Sequence, residues 1–368
     1  MPASTTDRPC LDLDQDIVTL TSAVCDIPSV SGTEARLADA VQTALSRLDH
    51  LEVTRVGNVV VACTQQGRAE RVVLAGHLDT VPLTDPPNLP TRTLGGADGQ
   101  LWGRGTVDMK GGVAVQLKLA HDLAAPNRDI TYIFYDNEEI EASANGLGHL
   151  ARSHPGLLSA DFAVLLEPTN AQIEGGCKGT LRVEIHLRGK AAHSGRPWAG
   201  DNAVHKAASP LARLADYQAR VVDVDGLTYH EGLSAVGIRG GVAGNVIPDL
   251  CVVTVNYRFA PDRSAAQALA HVQEVFDGYD VRLTDSAGGA RPGLDLPAAR
   301  DFVREVAADS AMAVTAKEGW TDVARFADLG IAAVNFGPGD PMLAHHDEER
   351  VPVEQLRDAE AALRRWLA

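Results

Sequence analysis

The sequence predicts an α/β protein whose central mixed sheet is carried by one domain and interrupted by a smaller, ferredoxin-like α+β domain. Three observations predict it. Short β-branched runs alternate with helical stretches through the first half of the chain, which is the pattern of a sheet covered on both faces. Near residue 178 the texture changes to half-exposed alternation in the order β-α-β-β-α-β, the signature of a ferredoxin-like insert. After about residue 290 the first style returns.

The elements follow in order. LDLDQDIVTLTSAVCDI, from residue 11, has apolar residues at helical spacing and is stopped by Pro28. Ser31-Gly-Thr-Glu34 has capping-box spacing and is expected to open a second helix, ARLADAVQTALSRL. VTRVGNVVVAC, RVVLAG, ITYIFYD and FAVLL are predicted strands, and KGGVAVQLKLAHDLA a helix. In the insert, TLRVEIHLRGK, LSAVGIRGG, LCVVTVNYRFA and DVRLTDSA are predicted strands, with NAVHKAASPLARLADYQ and AAQALAHVQEVFDGY as helices. The last part gives a helix DFVREVAAD, a strand IAAVNFG and a final helix VEQLRDAEAALRRWLA. One domain is therefore expected over 1–178 and 291–368, with the insert at 179–290.

Composition narrows the function classes. At roughly 150 residues per domain, 368 residues suggest two domains. With 45% hydrophobic and 22% charged residues the chain has ordinary globular usage. A net charge of −16 disfavours nucleic acid and anionic membranes as partners. Every apolar run is broken by charge well short of the ~18 residues of a membrane span, and the N-terminal MPASTTDRPCLDLDQD lacks the basic and apolar regions of a signal peptide. Five scattered cysteines without a CxxC pair fit a reducing cytoplasm.

The chemistry is suggested by position. Ligands of open α/β sheets bind beyond the carboxyl ends of the strands, and metal-type side chains recur there. RVVLAG runs into His77 and Asp79, ITYIFYDN into Glu138 and Glu139, and FAVLL into Glu167-Pro168. Asp108 lies in GRGTVDMKGG just before a helix, and IAAVNFG leads on to His345 and His346. Taken singly, these are ordinary turn and loop residues. Asp79 could orient the ring of His77, being two residues on in a strand. Of the adjacent Glu138 and Glu139, one could be a ligand and the other a general base. Imidazole and carboxylate without thiolate suit zinc, cobalt or manganese, zinc being favoured for hydrolysis. GRGTVDMKGG does not have GxGxxG spacing, so a nucleotide loop is a weak reading of it.

GHLDTVP at 76–82, GRGTVDMKGG at 103–112, NEE at 137–139, Glu167-Pro168 and His345 with Glu349, together with GKAAHSGRP at 188–197 and GNVIP at 244–248, resemble the co-catalytic metallopeptidase family. That family includes aminoacylases, acetylornithine deacetylases, glutamate carboxypeptidases and succinyl-diaminopimelate desuccinylases. Within it, GWTDVARFADLGI at 319–331 and NFGPGDPMLAHHDEE at 335–349 are most similar to the actinobacterial desuccinylases. The resemblance covers nearly the whole chain. It implies a zinc-peptidase-like catalytic domain, an insert acting as lid and dimerisation domain, and a cytoplasmic homodimer acting on a small acylated amino acid.

The resemblance also assigns roles. Asp108 would bridge two zinc ions, for which cobalt or manganese could substitute. His77 and Glu167 would complete one site, Glu139 and His345 the other. Glu138 would be the base and Asp79 would hydrogen-bond His77. The spacing from His345 to Glu349 matches the family, which leaves His346 as a bystander. His193 would reach into a neighbouring subunit's site and, as a donor, stabilise the oxyanion, while Asn245, Arg258, Thr321 and Gly319 would contact substrate. Arg182, Lys178 and Arg196 are further cations for a carboxylate-rich substrate.

The activity implied is hydrolysis of N-succinyl-L,L-diaminopimelate in lysine and cell-wall precursor synthesis. Deacylation of acetylornithine or another acylamino acid, or peptide cleavage, is the alternative from the same centre. A catalytically silent binding protein and a nucleotide-binding protein are alternatives of other classes. The base Glu138 speaks against the silent reading.

Overall fold

The computed structural model describes residues 9–96, 99–307 and 314–368. The sequence reading of the first eight residues, and the last two residues of DFVREVAAD, lie outside these. Two compact units result. The first comprises 1–175, 293–315 and 325–368, and the second 176–292 and 316–324.

The first unit is built on an eight-stranded sheet. In spatial order its strands are Glu52–Val56, Val59–Cys63, Asp129–Tyr135, Arg71–His77, Phe162–Leu165, Ala332–Asn335, Ile173–Gly175 and Val314–Ala316. The four strands from Asp129–Tyr135 to Ala332–Asn335 run parallel, and the strands that flank them pair antiparallel, so the sheet is mixed. Parallel strands are buried on both faces and read as continuous apolar runs; Asp129–Tyr135 is buried at every position. VTRVGNVVVAC is two strands rather than one, since Val56 pairs with Val59 across a tight turn that begins at Gly57 with φ +61°.

The first two helices are shorter than their apolar periodicity suggests. Ile17–Cys25 starts only after Asp16, whose carboxylate accepts the N–H groups of Val18 and Thr19. The second helix, Ala35–Leu45, has no side-chain cap. The capping box expected at Ser31 and Glu34 does not form. Glu34 accepts from the N–H of Gly32, and the Ser31 hydroxyl donates to Asp79. The Ser31 side chain is turned to a tertiary partner, and the helix begins later, at Ala35.

Helix Lys110–Asp122 is the centre of the unit, packed between strand Arg71–His77 and helices Ile17–Cys25 and Val353–Leu367. Its side chains are buried from Lys110 through Leu117. Gln116 donates from Nε2 to the carbonyls of Leu74 and Ile133, at 2.8 and 3.0 Å. The two glycines at its start are a packing requirement. A Cβ on Gly112 would lie 2.1 Å from the Leu166 carbonyl oxygen, and one on Gly111 would lie 2.5 Å from that of Thr106. The helix thus presses against the segment that carries Glu167. Trp366 of the last helix packs edge-on against Phe302 and Phe162 beneath the same sheet.

The second unit has a four-stranded antiparallel sheet in the order Gly232–Gly240, Leu250–Phe259, Gly179–Arg188, Asp280–Ala287. With its two helical stretches the chain order is β-α-β-β-α-β, a ferredoxin-like arrangement. Leu181, Val183, Ile185 and Leu187 alternate inward to meet Ala268 and Val272 of helix Ala265–Val275 and Phe276 just past its end. NAVHKAASPLARLADYQ forms two helices, Ala203–Lys206 and Ala208–Ala215. The break falls at Ala207, and Pro210, in the first turn of the second helix, lacks the N–H that a continuous helix would bond to residue 206. A hairpin, Val221–Val224 with Leu227–His230, is an addition that the periodicity did not indicate. Beside it, buried Glu231 accepts from Arg220, the Tyr257 hydroxyl and the Ala260 N–H.

Two expectations follow from this packing. Gly112→Ala should destabilise the chain by about 1–3 kcal/mol, the usual scale of overpacking against backbone that cannot give, read as a lower urea midpoint. Burial raises the Glu231 pKa, but Arg220 and the other donors outweigh it and hold the carboxyl below the usual range. The stability this contributes is present above the unfolded carboxyl pKa of about 4.3 and is lost as pH falls through the folded value. The thermal midpoint of Glu231→Gln should therefore lie below that of the parent at pH 7, and the gap should narrow below about pH 4.

Candidate metal centre

The carboxyl ends of the parallel strands bring the metal-type residues of the first unit together. His77 closes its strand opposite Tyr135, and Glu138 and Glu139 follow that Tyr after Asp136 and Asn137. Leu165 pairs with Ala75 on one side and Asn335 on the other, which places Glu167 two residues beyond the same edge. Two groups of potential ligands result, His77-Asp108-Glu167 and Asp108-Glu139-His345, and Asp108 belongs to both.

The distances are those of a metal shell. Asp108 Oδ1 lies 3.2 Å from His77 Nε2, and its Oδ2 lies 3.3 Å from His345 Nε2. Glu139 approaches His345 Nε2 at 2.9 and 3.0 Å. Ligand atoms about 2.0–2.1 Å from a tetrahedral ion stand roughly 3.3 Å from one another, close to these separations. His77 Nδ1 contacts the Asp79 backbone carbonyl at 3.0 Å. A carbonyl only accepts, so Nδ1 carries the hydrogen and Nε2 faces Asp108, the orientation a ligand histidine needs.

The electrostatics point the same way. Burial raises the pKa of Glu139, and the charge of Asp108 adds to it. Burial also works against ionisation of Asp108, but His345 and His77 outweigh it and hold its pKa well below the usual range. Hydrogen bonds that the ring donates to Asp108 and then Glu139 push His345 up to about 10. Three clustered carboxylates with two imidazoles create a field that attracts positive charge, and oxygen and nitrogen donors of this kind suit a divalent cation. The residues fit a metal.

The Asp79 carboxylate has a wider set of partners than the sequence suggests. Its nearer oxygen is 3.5 Å from His77 Nδ1, farther than the residue's own carbonyl. It accepts instead from the backbone N–H of Glu138 at 3.0 Å, of Glu139 at 3.1 Å, and from the Ser31 hydroxyl at 2.8 Å. Asp79 thereby fixes the loop that carries both glutamates, a loop that turns at Asn137 with φ +58°. Of the two adjacent histidines, His345 meets the carboxylates. His346 accepts the Glu348 N–H on its ring at 3.0 Å and an Arg104 N–H on its carbonyl at 3.3 Å. Ser31 and Arg104 were not among the expected site residues. Ser31 was hidden by its capping spacing, and Arg104 stood inside a motif read for its glycines and Asp108.

The remaining candidates lie in the second unit. Ala192–His193 pairs with Val246–Ile247, and the Ser194 N–H donates to the Asn245 carbonyl, so His193 and Asn245 share one end of a two-stranded ribbon, both exposed. Arg258 is exposed on strand Leu250–Phe259 and donates from Nε to Asn256. Gly319 is exposed and Thr321 buried in the segment 316–324. Of the further cations, Lys178 is paired with Glu318 at 2.6 Å, while Arg182 and Arg196 are exposed. All five cysteines are free thiols. Among the described residues no helix is long and apolar enough to cross a membrane.

The chain is 56% identical over 360 residues to a Mycobacterium tuberculosis protein assigned provisionally as succinyl-diaminopimelate desuccinylase, covering 97% of this chain and 99% of that one. It is 46% identical to the succinyl-diaminopimelate desuccinylase of Corynebacterium glutamicum, covering 98% of each. Among solved structures, a tripeptidase from Staphylococcus aureus superposes with a TM-score of 0.80 at 19% identity, covering 97% of this chain and 98% of that one, which is a likeness of fold. Residues 73–368 match the profile of peptidase family M20/M25/M40, and with relatives this similar along nearly its whole length the chain belongs to that family.

Proposed function

We propose that this protein is a metal-dependent amide hydrolase that converts N-succinyl-L,L-diaminopimelate and water to succinate and L,L-diaminopimelate, in the cytoplasm, as a step toward lysine and cell-wall precursors. The observation that carries the reading is the pair of ligand groups sharing Asp108, with Glu138 beside Glu139 at the same strand end. The substrate is supported by the names of the relatives at 56% and 46% identity. We assign the metals as two zinc ions, with cobalt or manganese as substitutes; His77 and Glu167 would hold one, Glu139 and His345 the other, and Asp108 would serve both.

Divalent ions held there supply Lewis acidity toward an amide carbonyl and lower the pKa of water from about 15.7 toward roughly 7. Glu138 takes the proton from the attacking water as its oxygen bonds to the succinyl carbon. It then gives that proton to the amine nitrogen as the C–N bond breaks, a role typically worth about 10²–10⁴-fold. Asp79 holds the N–H groups of Glu138 and Glu139 and so keeps base and ligand from exchanging places.

We assign 1–178 with 291–368, apart from the segment 316–324 that folds with the second unit, as the catalytic domain, and 179–290 as the lid and dimerisation domain of a homodimer. His193 from the neighbouring subunit donates to the oxyanion, where loss of one donor commonly costs about 2.7–4 kcal/mol. Arg258 offers a bidentate fork to a substrate carboxylate, with Asn245, Thr321 and Gly319 as further contacts.

Chelated protein should be inactive. Restored zinc should return turnover of N-succinyl-L,L-diaminopimelate and not of N-acetylornithine, measured side by side as amine release. Turnover of acetylornithine alone would move the assignment to the deacetylases. Glu138→Ala should lose about 10²–10⁴-fold in kcat while keeping its bound metal. Mixed and refolded with inactive His193→Ala, it should regain part of the activity; verified heterodimers with no recovery would reject the action of His193 across subunits.

A further inference from the structure

Between strand Gln100–Trp102 and helix Lys110–Asp122 the chain runs through the loop that presents Asp108. Four residues after His345 stands Glu349, 1% exposed, against Arg104, 3% exposed. Arg104 Nη1 donates to Glu349 Oε2 at 2.8 Å and to the His346 carbonyl at 3.3 Å. The other oxygen of Glu349 accepts the backbone N–H of Val107 at 2.9 Å and of Asp108 at 3.1 Å. The Gly103 N–H returns the tie by donating to the Glu349 carbonyl at 3.0 Å. One buried ion pair therefore joins the loop that holds Asp108 to the turn that holds His345, and neither of its members belongs to either ligand group.

The two ligand groups depend on this tie unequally. His77 is held by the sheet and Glu167 lies two residues past a strand end, with the Leu166 N–H bonded to the Ala75 carbonyl. His345 belongs to no strand or helix. Its side chain is 53% exposed and its backbone has φ +64°, a conformation that a histidine keeps only when its surroundings impose it. Arg104 and Glu349 are the buried contacts that tie the following turn to the Asp108 loop, beside the bonds of Trp102 to Glu348 and of the Glu348 N–H to the His346 ring.

The geometry points to Arg104 and Glu349 as positioning residues that set His345 against Asp108 and so govern the affinity of the metal position made by Asp108, Glu139 and His345. The inference rests on the two-metal reading above. Second partners of this kind commonly change metal affinity by about 10–100-fold. Removing one member of a buried pair leaves its partner's charge uncompensated, whereas removing both is tolerated better. Both a single and a double variant are therefore informative.

The experiment is a zinc titration of the chelated, full-length protein by equilibrium dialysis, with bound ions counted by elemental analysis and folding checked by circular dichroism. The parent should bind two ions per chain. Glu349→Gln should keep one at parental affinity and bind the other about 10–100-fold more weakly, matching the profile of Glu139→Gln, which lacks a ligand of that position alone. If Glu349→Gln does not fold, the double variant R104M/E349Q carries the same expectation. Two ions at unchanged affinity in a folded variant, or equal weakening of both, would overturn the inference while leaving the two-metal reading intact. A parent that binds fewer than two ions would overturn both.

Discussion

Asp108 stands between two imidazoles with one carboxylate oxygen toward each, and Glu139 comes close enough for burial and the Asp108 charge together to raise its proton affinity. Groups of like charge do not gather this way unless the chain compels them, and much of the first unit can be understood as that compulsion. Parallel strands bring His77, Glu138, Glu139 and Glu167 to one edge because their carboxyl ends must coincide. Asp108 comes from outside the sheet, and it reaches the edge because Gly111 and Gly112 let the next helix lie against backbone.

Around this cluster the polar partners are backbone groups as often as side chains. Asp79 holds two N–H groups of the glutamate loop, Glu349 holds two of the Asp108 loop, and Lys110 donates to the Ile27 carbonyl from a buried position. Such bonds fix loops without adding ligands. They leave the carboxylates of Glu138 and Glu139 to differ in task although they are neighbours in the chain. The second unit follows another rule, with one face of its sheet packed on helix Ala265–Val275 and the alternate residues outward, among them Arg182 and Arg258.

The places where the sequence misleads share a cause. Ser31 and Glu34 have the spacing of a capping box, yet the Ser31 hydroxyl donates to the carboxylate of Asp79 at 2.8 Å and the Glu34 carboxylate accepts from the Gly32 N–H, so the packing of the chain sets both partners. Gly57-Asn58 lies inside an apolar run, so the run looks like one strand, although a glycine able to adopt φ +61° divides it into two that pair with each other. The helical stretch divides at Ala207, ahead of Pro210, which the amphipathic pattern alone does not reveal. In each case periodicity reports burial and leaves open which partner satisfies the polar group.

Local chemistry determined the order of strands and helices, the change of texture at the insert, and the recurrence of His, Asp and Glu just past strand ends, because side-chain alternation and turn residues act over a few positions. Only the tertiary structure decided that Asp79 anchors the glutamate loop, that Ser31 turns to Asp79, and that Arg104 pairs with a residue 245 positions away. Those choices depend on distances between segments remote in the chain. Such distances are set by how the sheet, the central helix and the C-terminal turn pack together, and no spacing along the sequence encodes them.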